Sequence, residues 1–250
     1  MINSIKLRIL QRNAVLPDVR CVTIPERFRG RPRISDAACA DGCTACVSAC
    51  PTQAIALDPV RIDLGRCTFC GMCEEACPEH IIAFTPDYRL GTSSREGLIV
   101  THETSGITPE QASERIRSYF GKSLKLRQVS AGGCNGCELE LNALSNVNFD
   151  MGRFGIEFVA SPRHADGIVL TGPVTRAMAA PLEISIDAVP NPRIIILTGT
   201  CAISGGLFEN SPQIDRAVLD RHSIDLFVPG CPPHPLTFIT ALLDWLNKRS

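Results

Sequence analysis

Between residues 67 and 78 the chain runs Cys67-x2-Cys70-x2-Cys73-x3-Cys77-Pro78, a pattern few folds can accommodate. The two short steps wrap the backbone around three corners of one small object. The longer step and the proline turn the fourth thiolate away. This is the ligand pattern of paired iron–sulfur cubes, in which three cysteines hold one [4Fe–4S] cluster and the fourth ligates the other. Zinc is the rival use of so many thiols, but zinc motifs group cysteines in twos and give no role to a fourth one before a proline.

A partner run lies just upstream: Cys39, Cys43, Cys46 and Cys50, followed by Pro51. Its last three cysteines keep the spacing, whereas the first step is one residue longer, with Ala40 where a cysteine is expected. Either Asp41 and Gly42 bulge so that Cys39 still reaches its iron, or the cluster has a labile or missing iron at that corner. Crossed ligation assigns Cys39, Cys43, Cys46 and Cys77 to one cluster, and Cys67, Cys70, Cys73 and Cys50 to a second. Each half reads as a ligand loop, a short helix ending at Cys-Pro, and a strand (residues 54–57 and 81–84). The unit is an internal duplication.

Of the thirteen cysteines, four more are dispersed: Cys134, Cys137, Cys201 and Cys231. Apolar runs at residues 124–129, 156–160, 168–170, 194–197 and 226–228 alternate with stretches of helical length at 176–188, 211–221 and 235–248. Short β-branched runs alternating with helices predict an α/β domain whose parallel sheet is covered on both faces. All four thiols then follow the carboxyl ends of strands, where open α/β sheets bind ligands. Gly132, Gly133, Gly136, Gly199, Gly205, Gly206 and Gly230 surround them. Glycine lets backbone approach a bulky group and aim N–H donors at its sulfides. A third, all-cysteine cluster is the expectation, and buried free thiols at a loop-rich sheet edge are the bland alternative. Cys21, the remaining cysteine, reads as structural.

A net charge of −1 and a pI near 6.5 give no nucleic-acid signature. Arg27, Arg29, Arg31 and Arg33 form a modest patch, either a solvated surface or a dock for an acidic partner. Residues 1–10 carry Lys6 and Arg8 within their apolar stretch and lack a small-residue cleavage site, unlike a signal peptide. No run approaches the roughly 20 apolar residues that span a bilayer. Disulfides are not the expected use of these thiols in a reducing compartment, and neither a P-loop nor a Rossmann fingerprint is present. Residues 91–97 have linker composition, and Thr108-Pro109-Glu110-Gln111 reads as the start of a helix running to Phe120. The expected organisation is a dicluster domain over 1–90, a linker and connecting helix over 91–118, and a sheet domain over 119–250.

Two stretches carry family resemblances. Phe28-Arg-Gly-Arg-Pro32, with Leu64 through Pro78, resembles the dicluster ferredoxin subunit of formate hydrogenlyase and of complex I. Gly132-Gly-Cys-Asn-Gly-Cys-Glu-Leu-Glu140, Ser161-Pro-Arg-His-Ala-Asp166, Thr171-Gly-Pro-Val-Thr-Arg-Ala-Met178, Gly199-Thr-Cys-Ala-Ile-Ser-Gly-Gly206 and Val228-Pro-Gly-Cys-Pro-Pro233 resemble the small subunit of group 4 membrane-bound [NiFe]-hydrogenases. The resemblance implies a flavodoxin-like parallel-sheet domain preceded by an α+β ferredoxin domain. It also implies a proximal [4Fe–4S] cluster on Cys134, Cys137, Cys201 and Cys231, beside the active site of a separate catalytic large subunit. In the related complex I protein the first two cysteines are adjacent, whereas two residues separate Cys134 from Cys137, the hydrogenase spacing. Ferredoxin and small subunit, usually separate chains, are joined here.

The role so implied is an electron-transfer subunit of an oxidoreductase complex, with three [4Fe–4S] clusters between a soluble ferredoxin or dehydrogenase subunit and the large subunit. Membrane subunits would hold it in the cytoplasm, peripheral to the inner face of the membrane. No cysteine pairs remain to bind nickel, so no complete catalytic site is expected on this chain. Glu138 reads either as a proton carrier or as a carboxylate placed to suit a helix N-terminus. The alternatives are a complex-I-like quinone reductase or nickel-free relative and, in a different class, a stand-alone redox sensor or cluster carrier.

Overall fold

The computed structural model describes residues 2–10, 15–25 and 27–248. Helix α1 (Ile2–Leu10) is followed by strand β1 (Pro32–Ile34), helix α2 (Ala45–Ala49), strands β2 (Ile55–Ala56) and β3 (Arg61–Asp63), helix α3 (Met72–Ala76) and strand β4 (Ile82–Phe84). The duplication extends to the backbone. Both α2 and α3 are five residues long and end at a cysteine with nearly equal dihedrals, φ/ψ −81/111 at Cys50 and −82/109 at Cys77. The following proline forces this, because it drives the residue before it out of the helical region and cannot itself continue the helix. Three residues on, Gln53 and His80 both take left-handed backbone, with φ of 51 and 49. The strands expected at 54–57 and 81–84 form within them.

Strand β1 pairs antiparallel with β4, while β2, β3 and β5 (Ile99–Val100) make a second small sheet. Thus β5, in the stretch read as linker, adds an edge to the N-terminal unit. The same stretch reaches the other half. Thr92 and Phe227 exchange both backbone hydrogen bonds, and the Ala112 N–H donates to the Trp245 carbonyl at 2.8 Å.

The second half contains α4 (Glu114–Phe120), β6 (Leu124–Ser130), α5 (Gly136–Ala143), β7 (Ile156–Phe158), β8 (Gly167–Thr171), α6 (Arg176–Asp187), β9 (Ile194–Thr198), α7 (Thr200–Ser204), β10 (Leu226–Val228) and α8 (Pro235–Trp245). Its five strands are parallel in the order β10-β9-β8-β6-β7. Counted within the domain this is 2-1-3-4-5 read from the other edge, the flavodoxin-like winding. Strands β8, β9 and β10 are buried along their whole length, as a sheet covered on both faces requires. Alternate residues go to opposite cores: Ile194 and Ile196 to one, Ile195 and Leu197 to the other.

Two expected helices differ. Helix α4 starts at Glu114 behind the Ser113 cap, whose hydroxyl accepts from the Ile116 N–H, and not at Pro109. The Glu110 N–H donates to Ser93 Oγ at 3.0 Å, so the preceding stretch is tied to a distant residue and forms no helix. Residues 211–221 form no α-helix beyond a single tight turn at Leu219–Arg221. Their backbone pairs sideways, with Gln213 accepting from Arg176 N–H and Asp215 donating to Val174.

The N-terminal unit does not keep a core of its own. Ile34, Ile62, Leu64, Ile82 and Leu98 belong to the same buried cluster as Val129, Ile168, Leu170, Ile195 and Leu197 from one face of the large sheet. Val19 and Tyr88 cross to the opposite face and pack with Leu124, Phe238 and Trp245. The Tyr88 hydroxyl donates to the Val19 carbonyl at 2.7 Å. Among the described residues, no helix is long and apolar enough to cross a membrane.

Candidate iron–sulfur sites

The folding brings the grouped cysteines together in three sets. Cys50, Cys67, Cys70 and Cys73 line one small enclosed space with Ala54, Ile62 and Phe84. Burial, with the neighbouring Cys73, Cys50 and Cys70, pushes the Cys67 thiol up to about 12. Cys73 is raised to about 11 by burial and by Cys50 and Cys70. Cys50 thus comes to the later run, as crossed ligation requires. Backbone N–H groups already point at sulfur: Ala54 at Cys50 Sγ (3.2 Å), Phe69 at Cys67 Sγ (3.3 Å) and Ile81 at Cys77 Sγ (3.4 Å).

Cys39 and Cys43 line a wider depression of about 610 Å³ together with Asp36, Asp58 and His102. Burial raises the Cys39 pKa, followed by the proximity of Cys43 and Cys77; burial likewise raises Cys46, which neighbours Cys77 and Cys39. The extra residue is absorbed by a turn in which the Cys43 N–H donates to Ala40 at 3.0 Å, with Gly42 left-handed at φ 69. At the matching position before Cys70, Phe69 is also left-handed, at φ 56. A tight turn at Asp41-Gly42 therefore returns the chain to the register of its twin.

The dispersed thiols meet at the carboxyl edge of the large sheet. Cys134, Cys137, Cys201 and Cys231 line one space of about 60 Å³ with Gly133, Gly172 and Gly230. Cys134 and Cys137 follow β6, Gly172 follows β8, Cys201 follows β9 and Cys231 follows β10, so the space sits at the winding reversal. Burial pushes Cys137 to about 12, reinforced by Glu138 and the other three thiols; Cys201 goes to about 11 by burial and the proximity of Cys231 and Cys134. A Cβ on Gly199 would lie 2.6 Å from Cys137 Sγ, and one on Gly206 3.2 Å from Cys201 Sγ. The Cys137 thiol thus excludes a side chain at Gly199, and the Cys201 thiol crowds one at Gly206.

Glu138 lies beside this set and is 8% exposed. Burial alone would raise its carboxyl, but hydrogen bonds from Ser130, Thr171 and its own N–H outweigh it and hold the pKa below the ordinary value. Thr171 Oγ1 donates to Oε1 at 2.6 Å. Neither hydroxyl was readable as a partner in the sequence. Cys21 stands apart, exposed near Tyr88.

Among the described residues, no three of His, Cys, Asp and Glu converge on one ion position; the thiols of the second and third sets stand around a space, and Cys39 and Cys43 of the first line a wider depression. Such surroundings fit a bulky all-thiolate group: sulfurs at the walls, N–H donors aimed at them, and glycine where a side chain would intrude. Fold and sites together define an iron–sulfur protein built from a duplicated dicluster unit and a flavodoxin-like sheet.

Residues 38–81 match the 4Fe-4S dicluster domain, and residues 134–245 match the NADH ubiquinone oxidoreductase, 20 Kd subunit. A probable membrane-bound hydrogenase subunit of Pyrococcus furiosus is 37% identical over 140 residues, which cover 56% of this chain and 83% of that protein. Formate hydrogenlyase subunit 7 of Escherichia coli is 39% identical over 146 residues, 55% of this chain and 57% of that one. An NADH-quinone oxidoreductase subunit of Bacteroides thetaiotaomicron is 38% identical over 113 residues, 45% of this chain and 57% of its own. The chain thus spans little more than half the length of the last two. It belongs to the family of the 20 Kd NADH ubiquinone oxidoreductase and membrane-bound hydrogenase subunits. It is an iron–sulfur electron-transfer subunit of an oxidoreductase complex.

Proposed function

We propose that the chain carries three [4Fe–4S] clusters and serves as the electron-transfer subunit of a group 4 hydrogenase-like complex of formate-hydrogenlyase type. The observation that carries this reading is that Cys50, Cys67, Cys70 and Cys73 line one space and Cys134, Cys137, Cys201 and Cys231 another, while Cys39 and Cys43 line a third depression with Cys77 and Cys46 close by. Cys39, Cys43, Cys46 and Cys77 would hold the first cluster, Cys67, Cys70, Cys73 and Cys50 the second, and Cys134, Cys137, Cys201 and Cys231 the third. When bound, such clusters supply one-electron transfer at potentials set by charge, sulfur hydrogen bonds and exposure. The chain's own part is to fix the thiols and to donate N–H groups to sulfur from Ala54, Phe69 and Ile81.

Cys134 and Cys231 are exposed at the open mouth of the third set, the natural seat for a catalytic large subunit. A soluble ferredoxin or dehydrogenase subunit would meet the N-terminal sets. Membrane subunits would keep the chain peripheral to the inner face of the cytoplasmic membrane. The division into residues 1–90, 91–118 and 119–250 then describes which ligands serve which site, because the hydrophobic core runs across it. Glu138, buried beside the third set with its pKa held below the ordinary value, would act there as a fixed negative charge more readily than as a proton carrier. Similarity to the NADH-quinone oxidoreductase protein favours a second reading, a complex-I-like quinone reductase. The two residues between Cys134 and Cys137 favour the first.

Anaerobic reconstitution of the full chain should yield about twelve irons, from three four-iron clusters; about eight would remove one site. The catalytic partner that co-purifies from the native host should carry two Cys-x2-Cys pairs for nickel. A partner without them would move the assignment to the nickel-free relatives.

A further inference from the structure

Two of the three thiol sets lie on opposite halves of the chain yet share a boundary. Thr68 and Phe69, from the loop between Cys67 and Cys70, line one groove of about 220 Å³ with Gly230, Cys231 and His234 from the loop after β10.

Thr200, the first residue of α7 and the neighbour of Cys201, lines the space of the third set. It is 1% exposed. Its hydroxyl lies 2.7 Å from the Cys67 carbonyl and 3.1 Å from the Gly230 carbonyl, and its N–H donates to Gly230 at 2.9 Å. A threonine in the first turn of a helix ordinarily satisfies its hydroxyl locally. Here the hydroxyl reaches a carbonyl 133 residues away in sequence. One side chain therefore touches the backbone of a ligand of the second set, adjoins a ligand of the third, and binds the residue before another. The same helix closes the joint elsewhere. Ile203 fills the place a Cβ on Gly65 would take, at 2.7 Å, and Arg66 pairs with Glu209 just beyond the helix.

We propose that Thr200 is a positioning residue that fixes the spacing between the Cys50/Cys67/Cys70/Cys73 set and the Cys134/Cys137/Cys201/Cys231 set, making these the two sites that face each other across the joint between the halves. The proposal rests on the three-cluster reading. Its physical content is a single buried donor shared by loops that have no covalent link near the joint. Without the hydroxyl, the Cys67 carbonyl loses a buried partner, and the loops can relax apart while each keeps its own thiols.

The test uses the full reconstituted chain with Thr200→Val, which keeps the branched shape, Thr200→Ala, which also removes bulk, and Thr200→Ser, which keeps the hydroxyl. Iron per chain is measured first, and then the magnetic interaction between reduced clusters by paramagnetic resonance. Thr200→Ser should retain both the iron and the wild-type interaction. Thr200→Val and Thr200→Ala should retain the iron but show a weaker or heterogeneous interaction. A hydroxyl-free variant with full iron and an unchanged interaction overturns the proposal. So does one that loses a cluster, because the hydroxyl would then serve site assembly and not spacing. Should Thr200→Val fail to fold, Thr200→Ala and the serine rescue decide. Failure of the three-cluster reading would look different: the unmodified chain itself would hold about eight irons and show no interaction between the halves.

Discussion

Gly199 offers the sharpest single perturbation of the dispersed site. Its backbone, at φ 90 and ψ 151, lies in a region open essentially to glycine alone, where another residue costs about 1–3 kcal/mol. A Cβ there would come within 2.6 Å of Cys137 Sγ, closer than such atoms approach. Cys137 is only partly exposed, so an overpacking cost of about 1–3 kcal/mol applies as well. Gly199→Ala should therefore lose about 2–6 kcal/mol of a total of about 5–15, lowering the unfolding midpoint by roughly 5–20 °C. The chain stays folded at low temperature, but the third thiol set is misplaced, and reconstituted iron should fall from about twelve to about eight. Gly106→Ala is the control, since a Cβ there meets nothing within 4 Å, and it should change stability by no more than about 0.5 kcal/mol. Iron content and calorimetry on the same preparations decide the matter. Gly199→Ala with full iron and an unchanged midpoint would mean that Cys137 does not sit where the site needs it.

Replacing Cys39 by Ser should disturb the signal and stability of one cluster, whereas Cys21→Ser should leave every cluster intact; the reverse pattern in iron content and paramagnetic resonance would refute the turn at Asp41-Gly42. Asp225 is raised above its ordinary 3.8 by burial, only partly offset by the Ile195 N–H. The contribution of its protonated form is fully present below pH 3.8 and is lost as the pH rises through the folded value, so at neutral pH the buried carboxylate is a liability. Asp225→Asn, which can still accept from Ile195, should raise the unfolding midpoint at pH 7, with a gain that vanishes below about pH 3.8; a gain independent of pH would exclude ionisation as its cause. A fragment of residues 119–250 would expose the sheet face that Ile62, Leu64 and Leu98 cover. It should aggregate or unfold well below the full chain's midpoint, and a soluble fragment of wild-type stability would show that the shared core contributes little.

The thiol sites were readable in the sequence to the extent that their constraints are local. Short cysteine steps and the Cys-Pro pairs act within a few residues, so α2, α3 and the twin left-handed turns at Gln53 and His80 follow from them. The parallel strands were readable because a sheet buried on both faces needs continuous β-branched runs, as at residues 194–197. A stretch of helical length and a capping-type start with a proline could not establish a helix at 109–113 or 211–221. There the backbone finds partners far along the chain, Ser93 for Glu110 and Val174 for Asp215, and no local pattern records such a competitor. The same holds for the joint. Sequence determined which thiols this protein possesses and how they are spaced along the chain. Only the tertiary structure decided that the two halves share one core and that the Thr200 hydroxyl links the Cys67 and Cys231 loops, because hydrogen bonds and packing between distant segments depend on where the chain returns, and spacing along it does not encode that.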